Sequence, residues 1–225
     1  LVEVFQELGV KKIRLTGGEP LLRKGLDEFI SDIKKKTKIE EVALTTNGYY
    51  LEENAALLKK AGLDRLTVSL DTLDPDKAFF INGKRDILPK ILSGLEVASQ
   101  VGFKSIKINM VVQRDINDNE ILDIVNFYKN KSFIVRFIEF MDVGNRNKWE
   151  LSKVVPSKEI KELINKVYPL EPTTPNCIGE VANRYRFKDN SGEVGFISSV
   201  TQPFCQNCTR ARITSEGSFY NCLFA

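Results

Sequence analysis

The residues best suited to chemistry in this sequence are three cysteines near its end, Cys205, Cys208 and Cys222. Cys205 and Cys208 are spaced like two thiolates of one metal centre, and Cys222 follows after a hairpin-like segment that contains Gly217. Three thiolates suit an iron–sulfur cluster that leaves one iron open. Structural zinc would need Cys177 or a carboxylate as fourth ligand, because the chain has no histidine. A redox CxxC pair is less favoured, since no thioredoxin pattern surrounds it.

Two arginines between these cysteines could hold an anion. In an extended segment over residues 209–213, Arg210 and Arg212 would lie on one face, where guanidinium groups can bind phosphate with two hydrogen bonds each. Further basic residues on predicted strands would complete a polyanion site: Lys12, Arg14, Lys107 and Arg136. A surface role or a salt bridge is the alternative for each of them.

A pair of glycines, Gly17 and Gly18, directly follows a predicted strand. Glycines there allow positive φ angles and a close approach of the backbone to a ligand. Glu19, the next residue, could accept hydrogen bonds from an ammonium group. The segment matches neither a Walker phosphate loop nor a GxGxxG fingerprint, so it does not predict a nucleotide site of either kind.

The elements that must position these residues alternate between strand and helix, which is typical of a parallel α/β sheet. The predicted strands cover residues 12–16, 41–45, 65–69, 105–111 and 133–138. The predicted helices cover residues 1–8, 26–36, 52–61, 88–101 and 119–129. Polar or glycine residues follow each strand, and the carboxyl ends of parallel strands are where α/β proteins build their sites. Periodicity alone leaves a doubly wound sheet and a βα barrel open.

The pattern changes after about Trp149. A short helix is predicted near residues 157–167, then a proline-rich turn region, then two strands at 184–187 and 194–197. We therefore expect one α/β domain over residues 1–148 and a smaller C-terminal module over 149–225.

The overall composition excludes several classes of protein. Hydrophobic residues make up 42% and charged residues 28% of the 225, as in a globular protein. The 33 basic residues nearly balance the 30 acidic ones, so we expect no nucleic acid as a partner. No apolar run reaches the roughly 20 residues of a membrane span, and no signal peptide is visible, so we expect a cytoplasmic protein without a membrane partner.

The motifs together resemble those of the radical S-adenosylmethionine family. Thr16-Gly-Gly-Glu-Pro20 is similar to its GGEP motif. Within that family, the chain most resembles the GTP 3′,8-cyclases of molybdenum-cofactor biosynthesis, above all in its C-x2-C-T-R-A-R-x9-C segment. Further segments with the same order and spacing are Lys12-Ile-Arg14, Thr45-Thr-Asn-Gly48, Ser69-Leu-Asp71, Lys107-Ile-Asn109 and the stretch from Arg136 to Gly144.

The resemblance implies an incomplete (βα) radical-SAM partial TIM barrel with a smaller cluster-binding module. It implies two [4Fe–4S] clusters and S-adenosylmethionine, whose 5′-deoxyadenosyl radical starts the cyclisation of GTP. The second cluster would be held by Cys205, Cys208 and Cys222. S-adenosylmethionine would contact Gly18, Ser69 and Met141. The GTP contacts would be Arg14, Thr45, Lys107, Arg210 and Arg212.

The resemblance also implies partners: GTP as substrate, an electron donor, and cyclic pyranopterin monophosphate synthase as the downstream enzyme, while a homodimer stays open. One motif departs from the family, because the sequence contains no CxxxCxxC for the first cluster. We expect that motif upstream of Leu1 and the family's tail downstream of Ala225. We therefore interpret the chain as an internal fragment that does not catalyse by itself and assign it no catalytic residue.

Two other interpretations stay open. The first is a different radical S-adenosylmethionine enzyme with an auxiliary cluster, such as a peptide-modifying maturase. Such enzymes usually carry more cysteines near the C-terminus and do not require the Arg210/Arg212 pair. The second is a non-enzymatic zinc-binding or nucleic-acid module. It would need a broad basic face or stacking aromatic residues, whereas the basic residues here are interspersed with acidic ones and most aromatic residues sit in apolar runs.

Overall fold

The computed structural model of the protein describes residues 1–143, 148–175 and 179–224. The chain forms two compact units. Unit 1 comprises Leu1–Asn109 with Ser132–Ile134, and unit 2 comprises Met110–Lys131 with Val135–Ala225. Among the described residues, none of the helices combines the length and the apolar character that a membrane crossing needs.

Unit 1 alternates strands and helices. In chain order its elements are α1 (Val2–Glu7), β1 (Lys12–Leu15), α2 (Leu26–Lys36), β2 (Glu41–Thr46), α3 (Leu51–Lys60), β3 (Arg65–Ser69), α4 (Pro75–Asn82), α5 (Ile87–Gln100) and β4 (Ile106–Val112), whose first residues belong to this unit. The strands lie in the order β1-β2-β3-β4, and the pairs β1–β2, β2–β3 and β3–β4 are parallel. The prediction of an α/β fold with parallel strands is confirmed. β1 lies at the edge of this sheet, so the strands described in unit 1 do not close into a barrel.

Apolar residues on one face of the strands form the core of unit 1, while the opposite face carries polar residues such as Thr45 and Thr67. Val42, Leu44 and Val68 on β2 and β3 are fully buried. On one side α3 packs closely on α5, and Gly94 makes this approach feasible. A Cβ atom at Gly94 would lie 2.8 Å from Cβ of Leu51, closer than packed atoms allow.

Unit 2 combines helices with an antiparallel ladder. Its elements are α6 (Ile121–Tyr128), β5 (Phe133–Glu139, from Val135 onward), α7 (Ser157–Val167), β6 (Leu170–Pro172), β7 (Asn183–Phe187), β8 (Glu193–Ile197), β9 (Arg212–Ile213) and β10 (Phe219–Tyr220). β5, β8, β7 and β6 follow one another across the sheet, and β6–β7 and β7–β8 are antiparallel. The stacked rings of Phe137 and Phe196, 6.0 Å apart, lie in its core.

The predicted strands and helices match the observed ones within two residues at each end, and α2 and α7 match at both ends. One helix of unit 1 was not predicted. It is α4, which begins where Asp74 Oδ1 accepts hydrogen bonds from the N–H groups of Asp76 and Lys77. Its apolar residues show no helical periodicity, since Phe79 and Phe80 are adjacent and both exposed.

Candidate functional site

The turn after β1 is open for a ligand. Gly17 and Gly18 adopt φ angles of +84° and +47°, which glycine adopts without steric cost. A Cβ atom at either position would meet nothing within 4 Å. Gly18, predicted to contact S-adenosylmethionine, therefore presents its backbone to open space at the carboxyl end of β1, as a ligand-binding turn requires.

Glu19 holds this turn against the neighbouring strand. Its Oε1 accepts hydrogen bonds from the backbone N–H of Leu21 at 3.0 Å and from the hydroxyl of Thr46 at 2.5 Å. Its Oε2 accepts a hydrogen bond from the backbone N–H of Asn47 at 2.7 Å. The sequence suggested a ligand's ammonium group as the partner of Glu19. In the structure this carboxylate accepts hydrogen bonds from three protein donors, so it fixes the shape of the turn.

Three residues predicted to bind the substrate lie on one face of the sheet in unit 1. Nη1 of Arg14 donates hydrogen bonds to the hydroxyls of Thr45, at 2.8 Å, and Thr67, at 3.3 Å. Thr45 pairs in register with Thr67, and Thr67 with Lys107. Side chains in register point to the same face, so Lys107 belongs to the same row. Sequence reasoning missed Thr67, because only the strand register shows that it lies between two predicted residues.

The guanidinium of Arg14 is accessible to solvent, yet protein atoms surround much of it. This desolvation lowers the pKa of Arg14; the carboxylate of Glu41 opposes the shift and the guanidinium of Arg65 adds to it. A cation that has lost part of its hydration gains from an anionic partner. The hydroxyls of Thr45 and Thr67 orient the cation without contributing a negative charge, as suits a phosphate contact.

Ser69, predicted to contact S-adenosylmethionine, is the last residue of β3 and pairs with Asn109 of β4. It lines a small cavity at the carboxyl end of β3, together with Asn47, Asp71 and Asn82. Leu70, Thr72, Ala78, Leu88 and Ile91 complete the lining. The cavity combines polar groups that could orient a ligand with an apolar wall.

Met141, the third residue predicted to contact S-adenosylmethionine, belongs to unit 2 and follows β5. Its carbonyl accepts a hydrogen bond of 2.9 Å from the N–H of Val143. Arg136, which the sequence added to the polyanion site, lies on β5. Its Cγ is 3.2 Å from the point where Gly195 would carry a Cβ, so that glycine makes room for the arginine stem.

The three predicted ligand cysteines are free thiols and all are exposed. Cys205 begins a 3-10 turn over Cys205–Asn207, Cys208 follows it, and Cys222 comes after the β9–β10 hairpin. Among the residues that the structure describes, no three cysteine, aspartate or glutamate side chains come close enough to hold a metal ion. Cys177, interpreted as an ordinary thiol, lies outside the described residues.

Arg210 contacts one of these thiols. Its Nη2 lies 3.3 Å from Sγ of Cys208, and its guanidinium stacks 4.9 Å from the ring centre of Phe204. The backbone N–H and then the side chain of Arg210 lower the pKa of Cys208, with a smaller contribution from Arg212. The thiolate is the form that binds metals, so the donor set suits an iron–sulfur cluster.

Gly179 is a further residue of this region that sequence reasoning missed. A Cβ atom there would lie 2.9 Å from the carbonyl oxygen of Asn207 and 3.1 Å from Oγ1 of Thr209. Its φ of +77° also favours glycine. Gly179 therefore lets the chain pass close to the turn that carries Cys205 and Cys208.

Two family models together match most of this chain. The family model of the radical SAM superfamily matches residues 1–128, and that of the molybdenum cofactor synthesis C family matches residues 133–225. Among curated relatives, proteins named GTP 3′,8-cyclase are 48% identical in Xanthomonas campestris pv. campestris (strain 8004), 46% in Staphylococcus saprophyticus and 45% in Staphylococcus aureus (strain JH9). Each comparison covers all 225 residues of this chain. The chain spans 66% of the length of these relatives.

A solved structure supports the fold. The crystal structure of HydG, a maturase of the [FeFe]-hydrogenase, superposes with a TM-score of 0.50 at 18% sequence identity. The superposition covers 72% of this chain and 39% of HydG. At 18% identity, this likeness shows the fold alone. Since the superfamily model covers more than half of the sequence, the chain belongs to the radical SAM superfamily.

Proposed function

We propose that this chain is part of a GTP 3′,8-cyclase, a lyase that converts GTP to (8S)-3′,8-cyclo-7,8-dihydroguanosine 5′-triphosphate in molybdenum-cofactor biosynthesis. The observation that carries the proposal is the orientation of Arg14 by the hydroxyls of Thr45 and Thr67, in a row with Lys107. The relatives named GTP 3′,8-cyclase and the two matching family models support it.

In this proposal the residues of unit 1 bind GTP and S-adenosylmethionine. Arg14 and Lys107 contribute positive charge to the triphosphate, while Thr45 holds Arg14 in place and contacts the nucleotide. Gly18 and Ser69 contact S-adenosylmethionine through the open turn after β1 and the cavity at the end of β3. Glu19 keeps that turn in shape through its three hydrogen bonds.

The residues of unit 2 bind GTP, the cofactor and the second cluster. Arg210 and Arg212 contact GTP, and Met141 contacts S-adenosylmethionine. Cys205, Cys208 and Cys222 would hold a [4Fe–4S] cluster. When bound, S-adenosylmethionine supplies the radical chemistry, and the cluster at these cysteines supplies an open iron for the purine. As a domain assignment we propose that residues 1–148 form the partial barrel and residues 149–225 form the GTP- and cluster-binding module.

Metal analysis tests the assignment of the cluster. After anaerobic reconstitution with iron and sulfide, the chain should contain about four irons and four sulfides. Cys208→Ser should lose most of this content. Cys177→Ser is the matched control and should keep it, because that cysteine has no ligand role in the proposal. Stoichiometric zinc that iron and sulfide do not replace would contradict the proposal and favour a zinc module.

A further inference from the structure

Glu139 is a buried acidic residue that none of the roles above uses. It is the last residue of β5, and its side chain is fully shielded from solvent, with 0% exposed. A buried carboxylate costs free energy unless donors surround it. The surroundings of Glu139 therefore indicate what the residue does.

Four donors from two distant segments reach this carboxylate. Oε1 accepts hydrogen bonds from the backbone N–H of Ser157 at 2.7 Å and from the hydroxyl of Thr201 at 2.6 Å. Oε2 accepts hydrogen bonds from the backbone N–H groups of Val200 and Thr201, both at 2.8 Å. A carboxylate has about four acceptor positions, so these four donors saturate it.

The donors keep Glu139 ionised. Burial by itself would raise the pKa of Glu139, but the hydrogen bonds from Thr201, Ser157 and Val200 outweigh it and hold the pKa below its usual value. Ser157 is also the first residue of α7, whose N-terminus attracts negative charge. One charged group thus joins β5, the start of α7 and the turn at residues 200–201.

That turn is the base of the segment that carries the three cysteines. We call residues 201–224 the cysteine arm. No residue described in this arm is buried, and only Phe204 and Arg212 are partly shielded. An exposed segment without core residues opens at little cost in free energy. The hydrogen bonds of Val200 and Thr201 to Glu139 therefore supply an anchor where the core supplies none.

We propose that Glu139 is a positioning residue that fixes the base of the cysteine arm to β5 and α7, so that the thiols are presented from a defined place in unit 2. The anchor itself follows from these contacts alone. Its relevance to an iron–sulfur cluster rests on the proposed function. Glutamine at position 139 keeps the shape but replaces one oxygen by a donor that faces other donors.

Amide hydrogen exchange of the 225-residue chain without metal tests the anchor. We expect Glu139→Gln to accelerate exchange in peptides covering residues 199–208 roughly tenfold or more relative to the wild type. Peptides of β7 and β8 should exchange at the wild-type rate. Thr201→Val removes only one of the four donors and should give a smaller acceleration in the same peptides.

Glu159→Gln is the matched control. This carboxylate lies on α7, the helix whose first residue donates to Glu139, but it pairs with Arg114, with its closest contact at 2.8 Å. Among the described residues, no hydrogen bond or ion pair joins it to the arm. It should leave exchange of the arm unchanged. Unchanged exchange of the arm in Glu139→Gln, or equal acceleration throughout unit 2, would overturn the proposal. If Glu139→Gln does not fold, exchange in Thr201→Val tests the anchor, again by comparing residues 199–208 with β7 and β8.

Loading the chain with iron and sulfide separates this proposal from the proposed function. The rate at which a chelator removes iron should be higher in Glu139→Gln than in the wild type and in Glu159→Gln. An unchanged rate would contradict a role of the anchor in presenting the thiols to the cluster. A wild-type chain that holds only zinc would contradict the proposed function, while the exchange result of the metal-free chain would still stand.

Discussion

The hydroxyl of Thr46 donates a hydrogen bond of 2.5 Å to the carboxylate of Glu19, which ties the glycine turn after β1 to the end of β2. Thr46 is buried, whereas its neighbour Thr45 faces the opposite side of the sheet and accepts a hydrogen bond from Arg14. The two adjacent threonines therefore have different roles. Thr46 stabilises the turn, and Thr45 belongs to the candidate substrate site.

We expect Thr46→Val to lower the free energy of unfolding by about 1.5–3 kcal/mol, because it removes a buried hydrogen bond to a charged group at nearly constant shape. Thr45→Val is the matched control and should cost less than about 1 kcal/mol, since its hydroxyl is partly exposed. Urea unfolding followed by circular dichroism measures both. Equal losses of unfolding free energy in the two variants would show that the hydrogen bond from Thr46 to Glu19 does not stabilise the turn.

Arg14 should be required for GTP binding. Hydrogen bonds to charged groups contribute about 1.5–3 kcal/mol, so Arg14→Ala should weaken GTP binding roughly 10- to 150-fold. Arg65→Ala is the control, because Arg65 lies in the same sheet and its Nε pairs with Glu41 at 3.1 Å. Titration calorimetry of the cluster-loaded chain measures both. A similar loss in both variants would assign Arg14 a general electrostatic role.

The arginines of the cysteine arm should recognise phosphate. Arg210→Ala or Arg212→Ala should weaken GTP binding roughly 10- to 150-fold with unchanged iron content. Lysine should restore binding only in part, because an ammonium group lacks the planar two-pronged geometry. Guanosine binding should change far less. If guanosine and GTP lose affinity equally, these arginines support the cluster or the fold.

The anchor at Glu139 should make stability depend on acid. The folded-state pKa of Glu139 is lowered, so its contribution is complete above the usual pKa of 4.5 and is lost as the pH falls through the lower folded value. The difference in free energy of unfolding between the wild type and Glu139→Gln should therefore be largest near pH 7 and shrink below about pH 4.5. Urea unfolding at several pH values measures this difference. A constant difference would mean that Glu139 is not charged in the folded protein.

The sequence predicted the elements better than the contacts between them. Alternating apolar runs and turn residues marked β1 to β5 within two residues, because local pattern determines where a parallel strand begins and ends. Helix α4 escaped prediction because Phe79 and Phe80 do not form an apolar stripe. Its signal was the Asp74-Pro75 start and Gly83 in the left-handed region at its end.

Contacts that join distant segments could not be predicted. Glu139 meets donors 18, 61 and 62 positions further along the chain, and no periodicity links such residues. Thr67 belongs to the candidate site through its hydrogen bond from Arg14 and its register with Thr45 and Lys107. Conversely, the cysteine spacing predicted a shared metal centre, but the described residues do not bring the three sulfurs together. The bound cluster itself would have to organise them.

The most direct test of the proposed function is the affinity of the cluster-loaded 225-residue chain for GTP, measured by titration calorimetry under anaerobic conditions. We expect saturable binding of one GTP per chain, with weaker binding of both ATP and guanosine. ATP lacks the guanine base, and guanosine lacks the triphosphate that the arginines and Lys107 are proposed to contact. Absence of saturable GTP binding, or equal affinity for GTP and ATP, would contradict the assignment of this chain to a GTP 3′,8-cyclase.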